Sequence, residues 1–263
     1  HAETKVHRID VVRFDDGHTE PLAQLVDDVY GLPRWSPDGR HVTLPRYRSR
    51  GVDLCLADGP DSAPRVIVEN LNRTLGTGYV WFGDGRRILA MVVPEERGAA
   101  PEAERTPRGP TTFTSAGQQA GVQTFQDLLQ SPHDEALFAY YTECQLVVYD
   151  VAAGTAEPIG APGIYSSVSP SPDGEYLLVQ RITRPFSYAV PYGRFARDVE
   201  IWHADGRVLK TFAELPLADD IPVQGVRVGP RGLSWRSTEP ATLGWLEALD
   251  GGNPVRPVEH RDR

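Results

Sequence analysis

Several features that define common protein classes are missing from this sequence of 263 residues. No apolar run approaches the roughly 20 residues that a membrane-spanning helix needs, so we expect no membrane partner. The formal net charge of −9 argues against nucleic acid, whose phosphates require a basic face. Lysine occurs only at Lys5 and Lys210, so the positive charge is almost all arginine. We ascribe this bias first to coding and second to the bidentate contacts that arginine makes.

Cysteine is equally scarce. The two cysteines, Cys55 and Cys144, each lie in an apolar, strand-like run. Because free cysteine behaves as a small hydrophobe, we expect two buried free thiols, with a disulfide or a catalytic thiol as the lesser alternatives. The cysteine content gives no compartment, so localisation stays open between a cytoplasmic and an exported soluble protein of bacterial type.

Glycine and proline, in contrast, are abundant, at 25 and 23 residues, as is natural for a chain of many turns. The stretch 32–44 predicts a β-hairpin, because Pro37 fixes φ in the turn, Asp38 can bond back to the backbone and Gly39 accepts positive φ. Related hairpins recur later in the chain, at 79–90, 169–179 and, in degenerate form, 232–243. This hairpin is therefore an internal repeat that extends along most of the chain.

A second kind of hairpin, each with an Asp and a Gly in or near its turn, alternates with the first. Two hairpins every 40–50 residues are typical of a β-propeller blade. We predict an all-β fold: a partial β-propeller of about four to five four-stranded antiparallel blades, with 1–263 as one propeller fragment. The predicted blades are a tail at 5–22 and four fuller units at 32–68, 79–159, 167–212 and 229–258. The tryptophans recur at blade positions and are expected in the core: Trp35, Trp81, Trp202, Trp235 and Trp245.

The second blade carries a predicted insertion at about 94–143. Its first part, 95–121, is rich in Ala, Pro, Gly and Arg and is expected to be a loop. Two short helices are predicted after it, at 124–130 and 131–141, with Ser131 at the start of the second. The alternative is that 131–159 forms a blade of its own.

These repeats resemble the N-terminal propeller of the prolyl oligopeptidase family of serine peptidases, and most closely its glutamyl endopeptidase branch. The resemblance covers nearly all of 30–260. It is carried by the stretches 126–141, 160–164, 169–195, 215–222, 229–231 and 245–252. The most specific of these are the stretch Gln-Asp-Leu-Leu-Gln-Ser-Pro-His-Asp-Glu-Ala-Leu-Phe-Ala-Tyr-Tyr at 126–141 and the stretch Arg-Pro-Phe-Ser-Tyr-Ala-Val-Pro-Tyr-Gly-Arg-Phe at 184–195.

The resemblance implies a propeller that caps the active site and gates peptide substrates, next to a C-terminal α/β-hydrolase domain. The chain itself has no Gly-x-Ser-x-Gly elbow in a strand-to-helix setting, so no catalytic residue is assigned and the enzyme question stays open. No cofactor and no metal site are expected. The alternative function is a free-standing propeller that binds proteins without a catalytic partner. Open blade edges predict some self-association.

A site that prefers acidic side chains needs a cation, and arginine offers a rigid fork for a carboxylate. The segment 184–195 is an unusually long link between paired strands and contains two arginines and two tyrosines. We therefore predict substrate contacts from Arg184, Tyr188, Tyr192 and Arg194. The competing interpretation is a packed loop with buried aromatics and surface-paired arginines.

Overall fold

The structure, a computed structural model, describes residues 8–25, 29–59, 62–103 and 125–263. Within these ranges the chain forms sixteen β-strands, one α-helix and one short 3₁₀ turn, so the fold is nearly all β. Every pair of hydrogen-bonded neighbouring strands in the described sheets is antiparallel. No helix of the described part is long and apolar enough to cross a membrane.

The first complete blade has four strand positions, one of which is broken in two. Its strands are β3 (Val29–Tyr30), β4 (Arg34–Trp35), β5 (Val42–Arg48), β6 (Gly51–Ala57) and β7 (Arg65–Val68). Both β3 and β4 pair with β5, so together they form the innermost strand, which is interrupted at 31–33. Proline lacks an N–H donor, and Pro33 lies at this interruption.

Seven further strands make the next two blades. They are β8 (Tyr79–Trp81), β9 (Arg87–Val92), β10 (Cys144–Asp150), β11 (Thr155–Pro170), β12 (Tyr176–Ile182), β13 (Arg197–His203) and β14 (Val208–Leu215). The first half of β11 pairs with β10 and its second half with β12. The outermost strand of one blade thus runs directly into the innermost strand of the next, as propeller connectivity requires.

The two ends of the chain form smaller sheets. The N-terminal pair is β1 (Asp10–Val12) with β2 (Thr19–Pro21), and the C-terminal pair is β15 (Arg231–Trp235) with β16 (Leu243–Leu246). A further bridge joins Ala248 to Asp262, which adds a third segment beside β16. The partial propeller predicted from the repeats is therefore confirmed.

The pairing of β9 with β10 decides how the second blade is built. Val92 lies opposite Gln145, so the strands before and after residues 93–143 are direct neighbours. The alternative in which 131–159 forms a separate blade is wrong. The intervening residues are a long connection between two paired strands of one blade.

The repeated turns have the predicted chemistry. In the first, the Ser36 hydroxyl donates to Asp38 Oδ1 at 2.6 Å and accepts from the His41 N–H at 2.9 Å. Gly39 has φ +71°, the left-handed conformation for which the turn needs glycine. Ser171 and Asp173 repeat the first of these bonds, at 2.5 Å. Each turn is therefore built from local side-chain bonds that the sequence specifies.

The core consists of apolar layers between neighbouring blades. Side chains on β12 alternate: Leu177 packs toward the second blade, and Leu178 packs toward Leu233 and Trp235 of the C-terminal pair. Both cysteines are buried free thiols, as predicted, and burial raises the pKa of Cys144 to about 12. The layers join the blades into one continuous structure.

The tryptophan prediction is correct only in part. Trp202 is buried, and Trp81 and Trp235 are half-buried between blades. Trp35 and Trp245 are 52% and 41% exposed, so the expectation of core packing is wrong for them. Trp81 and Trp235 pack against apolar clusters of the described residues, and neither Trp35 nor Trp245 is among the side chains of those clusters.

Only one of the two predicted helices forms. Helix α1 spans Pro132–Thr142, and the Ser131 hydroxyl caps it by accepting from the Asp134 N–H at 3.1 Å. Thr124 lies outside the described residues, and 125–130 is irregular, so the first predicted helix is wrong. Asp127 has φ +56°, a left-handed conformation that ends any helix, while Phe125 and Leu129 lie against an apolar cluster.

Candidate functional site

The long connections of the fold meet on one face. Because strands alternate in direction, the link between the second and third strands of a blade and the link from blade to blade emerge at the same end. Of the described residues, the connections 69–78, 183–196 and 216–230 and the two segments 93–103 and 125–143 lie on that face, whereas the links described at the opposite face are short turns. Side-chain bonds join them: Asn72 Nδ2 donates to the carbonyls of Tyr141 and Glu143, each at 3.0 Å. This elaborated face is the natural position for a site.

The connection 183–196, which we call the strap, packs against α1 through aromatic rings. Phe138 of the helix meets Phe186 edge-on, with ring centroids 5.0 Å apart, and meets Phe195 in the same manner at 5.6 Å. Phe186 and Phe195 stack on each other at 5.4 Å and are both buried. Such pairs add to simple burial, so the strap and the helix form one packed unit.

Two of the four predicted site residues meet on the helix. The Glu135 carboxylate accepts from the Arg184 guanidinium and, at 2.9 Å, from the Tyr188 hydroxyl. Burial and this carboxylate raise the pKa of Tyr188. The Arg184 guanidinium also lies over the Phe186 ring, 4.5 Å from its centroid, and its side chain is 59% exposed. An acidic group of the chain itself therefore occupies the two donors.

The other two predicted residues lie at the end of the strap. Tyr192 begins the 3₁₀ turn Tyr192–Arg194 and is exposed. The Arg194 guanidinium lies 4.8 Å from the centroid of the Phe125 ring, and the Arg194 carbonyl accepts from the Ala218 N–H at 2.9 Å. The strap therefore presents Arg184 with Tyr188 near its start and Tyr192 with Arg194 near its end.

Glu135 is the site residue that sequence reasoning did not single out. It lies in the first turn of α1, where acidic residues are favoured by the helix dipole, and that role alone accounts for it in the sequence. The neighbouring Asp134 fulfils the capping role: the Gln130 N–H donates to its carboxylate at 2.9 Å and lowers the pKa of Asp134. Glu135 is thus left to bind the strap.

The described residues contain no assembled catalytic centre. The nearest approach to a nucleophile elbow, 232–236, lies largely in β15, which pairs with β16 and is not followed by a helix. No group of three or more His, Cys, Asp or Glu side chains in the described ranges could hold a metal ion.

Comparisons with known proteins give the relationship of the chain. No family model matches it. A chloroplastic protein of rice named "Probable glutamyl endopeptidase" is 38% identical over 95% of the chain, and the protein of that name from Arabidopsis thaliana is 37% identical over 87%. These matches confirm that nearly the whole chain is similar to a segment of the glutamyl endopeptidases, as the sequence resemblance indicated. It spans 28% and 25% of the length of these two relatives.

Solved structures agree with the fold. A protein of Bacteroides ovatus described as a dipeptidyl aminopeptidase IV has a TM-score of 0.54 at 10% identity, covering 95% of this chain and 32% of its own. The acylaminoacyl peptidase of Pyrococcus horikoshii gives a TM-score of 0.46 at 18% identity, covering 79% of this chain and 28% of its own. The chain is a β-propeller segment of a peptidase family.

Proposed function

We propose that this chain covers the active site of a serine endopeptidase, admits peptides and unfolded segments, and favours substrates with glutamyl side chains. Its partner would be an α/β-hydrolase domain of the same protein. One observation carries the proposal: the fold gathers the strap, α1 and two further connections on a single face, where they can border a cleft with a second domain. The name of the two relatives supports the glutamyl preference.

Arg184, Tyr188, Tyr192 and Arg194 are the proposed substrate contacts. In the structure Arg184 and Tyr188 are bonded to Glu135, so an arriving substrate carboxylate must compete with that internal carboxylate. An exposed ion pair contributes little, so releasing Arg184 from Glu135 costs little. Glu135 would then hold the strap against α1 between substrates and release it when one binds.

The experiment is to express the complete reading frame that encodes this chain and to assay matched peptides with Glu or Gln at the cleaved position. Arg184→Ala and Arg194→Ala are expected to lower turnover of the Glu peptide by about tenfold, since each removes a charged donor. Arg207→Ala is the matched control, because this exposed arginine lies in the turn 204–207 on the opposite face. A frame without hydrolase activity would overturn the proposal in favour of a free-standing binding propeller.

A further inference from the structure

We propose that Arg197 and Arg227 together form a second carboxylate site on the same face and that this pair receives the acidic side chain of a peptide. The inference rests on the proposed function and specifies which residues read the substrate. Arg197 is the first residue of β13, immediately after the strap, and Arg227 lies in the connection 216–230.

The two guanidiniums converge on the backbone at the end of the strap. Arg197 donates to the carbonyls of Tyr192 at 3.1 Å, Gly193 at 2.6 Å and Phe195 at 3.5 Å. Arg227 donates to the carbonyls of Arg194 at 2.6 Å and of Phe195, again, at 2.9 Å. Because both groups bind the Phe195 oxygen, they are held side by side by a backbone that is already fixed.

These bonds leave donors unused. A guanidinium has five N–H groups. Arg197 uses Nε and Nη2, which leaves Nη1, and Arg227 uses only Nη2, which leaves Nη1 and Nε. None of these atoms is among the buried, unsatisfied side-chain atoms of the described residues. The remaining donors are therefore open to an incoming ligand.

The charge of the pair is not balanced by an acidic side chain. In the described part of the chain, neither Arg197 nor Arg227 has a carboxylate within 4.0 Å, whereas Arg184 has Glu135. Partial burial lowers the pKa of both groups, and the nearby Arg197 and Arg194 charges help to lower the pKa of Arg227 to about 10. Both stay protonated at neutral pH, so a positive, partly desolvated pair stands ready for an anion.

The surroundings favour a peptide carboxylate over a small inorganic anion. Tyr192 is 45% exposed, and Val223 and Val228, in the connection that carries Arg227, are 56% and 61% exposed. Exposed apolar side chains on the segments that carry the two cations suit an acidic residue that arrives with neighbouring side chains. The planar guanidinium fork matches the geometry of a carboxylate.

The test is an NMR titration of this chain with two blocked octapeptides. The peptides are identical except that one has Glu where the other has Gln. Wild type is expected to bind the Glu peptide about tenfold more tightly than the Gln peptide. This factor lies near the lower end of what a hydrogen bond to a charged group contributes. Arg227→Gln and Arg197→Gln should abolish the difference. Arg227→Lys should keep part of it, because the charge stays while the fork is lost. Arg207→Gln, in the turn 204–207 on the opposite face, should leave it intact.

Three results with this chain would overturn the inference: equal binding of the two peptides by wild type, no binding of either up to roughly 10 mM (a Kd at which about 3 kcal/mol of binding would remain), or a difference that persists in Arg197→Gln and Arg227→Gln. The thermal unfolding temperature of each variant is measured as well. If it equals that of wild type, lost discrimination reflects a lost site and not a lost fold. Glu-selective binding by this chain that vanishes in the complete protein would show that a carboxylate of another domain fills the pair, which overturns the substrate assignment. Absence of hydrolysis with Glu-selective binding retained would refute the peptidase function alone.

Discussion

Replacing Glu135 by alanine tests whether its carboxylate holds the strap on α1. The Arg184 side chain is 59% exposed, so its ion pair with Glu135 contributes about 0.5 kcal/mol after screening by solvent. The Tyr188 hydroxyl donates to the same carboxylate at 2.9 Å from a half-buried position, which adds about 1.5 kcal/mol. The loss of about 2 kcal/mol raises the population of an opened strap about 30-fold.

Hydrogen exchange of backbone amides is the direct assay. The Thr183 N–H donates to the Ala196 carbonyl at 2.9 Å and the Phe195 N–H to the Tyr192 carbonyl at 3.1 Å, so both report on the strap. In Glu135→Ala these amides should exchange about 30-fold faster, while amides paired between β12 and β13 keep the wild-type rate.

Two further variants sharpen the test. Glu135→Gln keeps an acceptor for Tyr188 but loses the charge, so its exchange rates should fall between wild type and Glu135→Ala. Glu143→Gln is the control, because this residue caps the other end of α1 through its backbone. If amide exchange accelerated equally in the strap and in the β12–β13 pairing, or did not accelerate in the strap, Glu135 would not be what holds the strap on α1.

Four other outcomes follow from the described residues. Neither Cys55 nor Cys144 should react with Ellman's reagent in the native chain at neutral pH, because both are buried and the pKa of Cys144 is raised to about 12, while both should react in urea. Ser131→Ala should lower the free energy of unfolding in urea by about 1 kcal/mol through the lost cap. The lowered pKa of Asp134 gives stability that is present at neutral pH and lost as the pH falls through the folded pKa, so the difference in Tm from Asp134→Asn should shrink below about pH 4. Because β14 is an edge strand on which Leu209 is exposed, Leu209→Lys should reduce self-association in sedimentation velocity, and unchanged association would exclude this edge.

The blades could be predicted because their information is local. Ser36, Asp38 and Gly39 form one turn from bonds within six residues, and Ser171, Asp173 and Gly174 repeat the pattern. The predicted helix over 124–130 failed because its composition resembles that of a helix while its apolar side chains pack on a distant cluster. Tertiary packing overrode the local preference there.

The same difference between local and distant contacts decides what could be predicted of the site. The strap was predicted as a unit from its length and its arginines, because these lie within twelve consecutive residues. Its partners could not be predicted, since Glu135 precedes Arg184 by 49 positions and Arg227 follows Phe195 by 32. Nothing in the sequence around Arg227 distinguishes a guanidinium bound to backbone carbonyls from an ordinary surface arginine.

The alternating direction of the strands within each blade explains why residues so distant in sequence lie on the same face. In a four-stranded antiparallel blade, the link after the second strand and the link to the next blade must leave at the same end. The insertion follows the second strand of its blade, the strap follows the second strand of the next, and 216–230 leads onward from the last strand of that blade. Any lengthening at these positions therefore adds to one face, which is how a fold of short repeats can gather Glu135, Arg184 and Arg227 without changing its blades.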